Sequence, residues 1–237
     1  MSAIFPSIQG SPDFSKLVEN YPDVLKQFFG LGQGGDITTG AGYLDIELFS
    51  LMLPIFVLVL AIGSGARTFA GEEDAGRLEL VLAYPLRRRS AVLAKGAAVA
   101  AEVLAVCVAA GIALVVLDPI VGLDLSTSSL GEALVGLAAL GLLHGWLALS
   151  VGAAVPSRAL AIGVPAALAA SGYLVNGLHG LAGWLDPFRF LSPFWLVSSS
   201  PLRSGVQGWG LAAVLVVAVV VLAAGSVLVE RRDLQTP

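Results

Sequence analysis

Five continuous apolar runs divide this chain, approximately Leu48 to Ala66, Ala91 to Leu117, Leu130 to Val155, Leu160 to Leu185 and Gly208 to Val229. None alternates apolar and polar positions with the period of two that a barrel strand requires. Each is close to the roughly 20 residues a helix needs to cross a bilayer. Lipid offers a backbone no hydrogen-bond partners, so such runs must close their own bonds as helices. The pattern predicts an all-α, polytopic membrane protein with five spans. Residues 48–229 form the transmembrane domain, flanked by a polar segment 1–47 and a short tail 230–237.

Composition agrees with that reading. The 237 residues are 57% hydrophobic and 13% charged, with a mean hydropathy of +0.87. A soluble domain carries about twice that charge. The formal net charge of −4 is small and scattered, and no basic face with interleaved aromatics offers itself to nucleic acid. Cys107, the one cysteine, lies inside an apolar run and reads as a small buried residue.

Lys and Arg set the expected orientation. Arg67, Arg77, Arg87, Arg88, Arg89, Lys95, Arg158, Arg231 and Arg232 come after the first, third and fifth spans, whereas Lys16, Lys26, Arg189 and Arg203 lie on the other side. The positive-inside rule places the larger set, and the C-terminus, in the cytoplasm. Residues 1–47 are then external, with Phe14 to Phe29 read as two short amphipathic helices broken at Pro22. Between the last two spans, 185–207 reads as an outer interfacial segment, with Trp184, Phe188, Phe190, Phe194 and Trp195 at the boundary. The sharper alternative there is an exit-side gate.

The first cytoplasmic loop, "GEEDAGRLELVLAYPLRRRSAVLAKG", concentrates charge around an ordered apolar stripe. Glu72, Glu73 and Asp74 suit the first turn of a helix, where the dipole favours negative charge. Ala75, Leu78, Val81 and Leu82 share one face, with Arg77 and Glu79 off it, and Pro85 ends the run. A short amphipathic helix over about 70–84 is expected, lying along the inner surface. The plainer alternative is a basic loop that sets topology. A solvated loop has no need of such a stripe; a docked helix has.

This loop resembles the one that comes after the first two-span hairpin in ABC-type-2 membrane permeases. Glu72, Glu73, Gly76, Leu78, Glu79, Leu80, Leu82, Pro85, Arg88 and Lys95 match that family's acidic pair, glycine, Leu-Glu-Leu run, proline and basic positions. "GYLDIELFSLMLPIF", "FLSPFWLVSSSPLRSG" and the terminal "ERRDL" extend the resemblance over most of the chain. It implies a permease subunit of an ATP-driven exporter in a bacterial inner membrane. The loop would be the coupling helix, with Glu72, Glu73, Gly76, Leu78, Glu79, Leu82, Pro85 and Arg88 forming the contact with a separate ATP-binding subunit. A second permease half, identical or different, and membrane lipid complete the expected partners. This chain has no GxxxxGK[ST] phosphate loop, so ATP and Mg would be bound by the partner. Members usually have six spans, and "IFPSIQGSPDF" is similar to the stretch just after the first of them. A preceding apolar span is therefore expected ahead of Met1.

Several polar groups fall inside the spans. Glu102 reads either as an embedded functional carboxylate or as a side chain near the inner interface, snorkelling or paired with Lys95. His144 reads as a neutral imidazole hydrogen-bonded between helices, flanked by Gly141 and Gly145 at GxxxG spacing. Gly172, Asn176 and Gly180 form a similar small face, and Pro54 and Pro165 read as tolerated kinks. An intramembrane enzyme would need Ser64 paired with a histidine. His179 fails by depth, and His144 is expected about two turns away or more. HExxH and metal-binding acidic clusters are absent from the sequence. A non-transporting anchor or assembly protein is the other alternative. Substrate identity is not legible.

Overall fold

The structure, a computed structural model, describes Pro22 and residues 39–74, 88–179, 182–198 and 201–231. Among these, every regular element is a helix. Five are long and apolar enough to cross a membrane: α1 (Gly40–Thr68), α3 (Arg88–Val121), α4 (Thr127–Ala154), α5 (Arg158–Leu178) and α8 (Gly208–Leu228). Short helices fill the connections: α2 (Ala70–Asp74), a 3-10 turn at Asp186–Leu191, α6 (Pro193–Val197) and α7 (Pro201–Ser204). A 3-10 turn, Val229–Arg231, comes after α8. The amphipathic helices expected over Phe14 to Phe29 and most of the 230–237 tail lie outside the described residues.

Large apolar side chains face outward along these helices. Val59, Ile112 and Val216 are 61–69% exposed. Water would penalise such a surface heavily, whereas a bilayer covers it at no cost. The helix α4 differs: two thirds of its most apolar window is buried, against a third or less for the other four. Its small residues explain this. At the crossing of α1 and α4, a Cβ added to Gly65 would overlap the Gly145 carbonyl oxygen, and one on Gly145 would meet Val99 Cγ1 at 2.8 Å. The GxxxG pair admits its neighbours as expected, since a Cβ on Gly141 would meet Val57 and Val103 at 2.8 Å each.

Two boundaries depart from the sequence reading. The helix of the first span begins eight residues before Leu48, at Gly40, so Asp45 and Glu47 are helical. Here the backbone widens into a π-helix, Asp45–Met52, and Leu53 N–H donates to the Leu48 carbonyl five residues back. Pro54, which has no N–H to donate, comes directly after. The fourth span ends at Leu178, seven residues short of Leu185. Gly177, Gly180 and Gly183 weaken that stretch as helix, and Asp186-Pro187 opens a 3-10 turn instead. At the end of α3, the Gly122 amide donates to the Asp118 carbonyl and Leu125 N to its carboxylate, which carries the helix past Pro119 to Val121.

The described residues fall into two compact units. One takes its members from Met1–Phe56, Val106–Leu137 and Ser171–Leu211, the other from Val57–Ala105, Ala138–Ala170 and Ala212–Pro237. The first is built on Tyr43, Leu44, Phe49, Leu114, Leu123, Leu130, Ala133 and Leu202. The second is built on Phe69, Val92, Leu149, Ala153, Leu222 and Val229.

Candidate functional site

The candidate coupling segment starts where α1 ends. Phe69, 1% exposed, turns the chain out of α1 and plugs the core of the second unit. From there α2 runs to Asp74, and Ala70 packs close to Gly152 of α4, where an added Cβ would meet it at 3.2 Å. Lys95 reaches back from α3 to this turn. Its ammonium donates to the Thr68 carbonyl, forms an ion pair with the Glu72 carboxylate and sits 6.0 Å from the centre of the Phe69 ring. Both charged side chains are largely enclosed, at 14% and 29% exposure. A charge-assisted pair in that setting holds geometry better than a surface pair does.

Other contacts fix the surroundings. Trp146 Nε1 donates to the Gly96 carbonyl at 2.9 Å, one residue beyond Lys95, and Ser150 Oγ donates to the Val221 carbonyl at 2.9 Å. Arg89 meets Glu230 at 2.6 Å, but both side chains are 40–50% exposed, so this pair contributes little.

Of the expected coupling residues, Glu72 is thus held by Lys95, Glu73 lies in α2, and Arg88 is the first residue of α3. Gly76, Leu78, Glu79, Leu82 and Pro85 lie outside the described residues. Lys95 pairs with Glu72 and not with Glu102, which overturns the pairing expected of Glu102; Glu102 is exposed on α3. The reason is geometric. Residues 95 and 102 are two turns apart on one helix, while the end of α1 brings Thr68 and Glu72 directly to the ammonium.

Replacing Lys95 with Met should lower the thermal midpoint of the purified chain, since roughly 1–3 kcal/mol rests on charged hydrogen bonds of this type. Glu72→Gln should cost less, and the double variant should be no worse than Lys95→Met alone. Additive losses in that cycle would show that the two side chains act separately.

A second constellation, which the sequence did not disclose, lies in the first unit. Asp45 is 2% exposed, and its carboxylate accepts from Leu202 N at 3.0 Å and from Arg203 Nε at 3.1 Å. The widened π turn of α1 is thereby tied to α7. Glu132 of α4 accepts from Val206 N at 3.2 Å, beside Gly205, whose φ of +71° suits glycine. Ser192 caps α6 by accepting from Trp195 N and donates to the Gly172 carbonyl at 2.7 Å. The small face expected on α5 therefore receives the interfacial segment, with Pro193 and Phe194 packed over Gly172. Asn176 Oδ1 is buried there without a hydrogen-bond partner among the described residues, and Gly180 lies outside them.

The expected two-turn separation of Ser64 from His144 is not observed. The contact of Gly65 with the Gly145 backbone puts them on adjacent turns of crossing helices. His144 Nδ1 lies 2.9 Å from the Leu140 carbonyl of its own helix. That contact accounts for one ring nitrogen without any serine.

The chain is thus a multi-pass membrane protein whose longest charged loop has an anchored base and whose 185–207 connection is braced by Asp45 and Glu132. No curated protein and no solved structure matches it. Over residues 9–229 it matches the family described as multidrug efflux system permease Rv1217c, C-terminal domain, and with that share of its length matched the chain belongs to this permease family.

Proposed function

We propose that this chain is the membrane-spanning part of an ATP-driven exporter, driven through its 70–84 loop by a separate ATP-binding subunit. The observation that carries the reading is the anchored base of the loop. Thr68, Phe69 and Glu72 are gripped by Lys95 and by the core of the second unit, so a displacement of the loop has to move α1 and α3 with it. Glu72, Glu73, Gly76, Leu78, Glu79, Leu82, Pro85 and Arg88 are the proposed contact with the ATPase. ATP and Mg are held by that subunit; its closure pushes the loop, and the spans move in turn. A second permease half, identical or different, supplies the other wall of the pathway. Family membership supports efflux of drug-like molecules as the cargo. The decisive experiment purifies the chain from native membranes with its associated ATP-binding subunit and measures ATP hydrolysis as drugs are added. Drug-stimulated hydrolysis is expected. Drug movement by the chain without any ATPase would overturn the proposal.

We further propose that the C-terminus and the loop face the cytoplasm of an inner-membrane protein, since nine of the thirteen Lys and Arg lie on that side. With Cys107 replaced, cysteines at Ser126 and Gln207 should react with an impermeant thiol reagent in intact cells, and one at Ser90 should not. All three positions are exposed. The reverse labelling pattern would invert the topology.

A further inference from the structure

The segment between α5 and α8 joins two helices of membrane-crossing length, so it meets a membrane–water boundary whichever way the chain is oriented. Its surface is aromatic and bare: Trp184, Phe188, Phe190 and Leu191 are 49–75% exposed, and Trp209 at the start of α8 is 57% exposed. Trp at the ends of spans settles among lipid headgroups, and exposed Phe and Leu beside it bury at the acyl boundary.

Arg189 stands in the middle of this surface, held by rings rather than by an acid. Its guanidinium carbon lies 4.9 Å from the centre of the Phe190 ring and 5.1 Å from that of Trp195. Trp195 in turn packs edge-on against Phe190 at 4.9 Å and Trp209 at 6.1 Å. The acid three residues earlier, Asp186, is turned toward His179 Nδ1 at 3.4 Å. The guanidinium makes no hydrogen bond or ion pair among the described residues, and its Nε is buried without one.

A guanidinium offers five donors in a planar fork that matches carboxylate and phosphate. Contact with the two aromatic rings confines the guanidinium and leaves its donors unfilled among the described residues. The group that completes it must bring anionic oxygens, and must do so beside an exposed aromatic surface at headgroup depth. A phospholipid supplies both, its phosphate to the fork and its acyl chains to the rings. We propose that Arg189, with Phe190, Trp195 and Trp209, forms a binding site for the phosphate of a phospholipid headgroup.

The full chain in neutral detergent, titrated with phosphatidylglycerol and monitored by native mass spectrometry, tests this. One retained phospholipid per chain is expected. Arg189→Gln should weaken its binding about tenfold or more, the loss of one charge-assisted contact. Diacylglycerol with the same acyl chains should not distinguish the two proteins, and millimolar inorganic phosphate should not displace the lipid. Trp195→Leu, which keeps the charge and removes the shelf, should weaken binding severalfold and provides a second arm should Arg189→Gln fold poorly. Wild-type affinity in either variant overturns the proposal. Displacement by inorganic phosphate would overturn it too, by making the site one for free anions.

Discussion

Leu78→Asp or Leu82→Asp should abolish drug-stimulated ATP hydrolysis by the exporter while leaving membrane insertion of the chain unchanged. In the helix expected over 70–84, the two leucines share one face with Ala75 and Val81, and Arg77 and Glu79 lie off it. If that face docks into a groove of the ATP-binding subunit, a carboxylate placed on it must lose its water without gaining a partner. Several kcal/mol are forfeited in such a burial, which is more than a hundredfold in association. Insertion should survive because the loop lies between spans, and the elements at its base are packed by Phe69 and Lys95. A charge reversal off the stripe, Glu79→Lys, should have the smaller effect. Normal stimulated hydrolysis in both aspartate variants would remove the coupling role from this loop. Because Lys95→Met perturbs the anchor and not the docking face, the two kinds of variant separate transmission from contact. The first should reduce stimulation while the ATPase still co-purifies; the aspartates should lose the ATPase itself.

Distance along the chain decides which features are legible in the sequence. The five spans are, because a helix in lipid is specified by its own apolar residues and needs no distant partner. The close crossing at Gly141 and Gly145 is also legible, since small residues at a spacing of four announce it. The pairing of Lys95 is not: Glu102 is the acid on the same helix, whereas Glu72 is brought to it by a turn at Phe69. Hydropathy likewise excludes Gly40 to Glu47 from the first apolar run, because Asp45 and Glu47 interrupt it, yet the helix includes them. Asp45 is paired at long range. Its partners lie 157 and 158 residues further on, in α7, and no local pattern signals them. The fourth span reads too long for the opposite reason, since "NGLHGLAGWL" is apolar enough but its glycines disfavour helix, and α5 ends at Leu178.

The buried Asp45–Arg203 pair carries the other large effect. Arg203→Met should lower the stability of the purified chain by about 3–5 kcal/mol, because it strands a carboxylate that no water reaches. The Asp45 side chain is 1% exposed and that of Arg203 only 20%, so screening by solvent does little to soften the loss. Asp45→Asn should cost less, as its amide oxygen still accepts from Leu202 N. Removing both charges, with Asp45→Leu and Arg203→Met together, should recover most of the loss, since an apolar pair of similar volume has no desolvation cost to offset. Stability is read as resistance to thermal aggregation or to SDS in a common detergent. If the double variant proves stable but transports poorly, the pair is kept for function: it locks the widened turn of α1 to α7, and export would then depend on that lock. If Arg203→Met is as stable as the unmodified chain, the pair is no structural tie. The π turn must then be held by its apolar neighbours, Tyr43, Leu44 and Phe49.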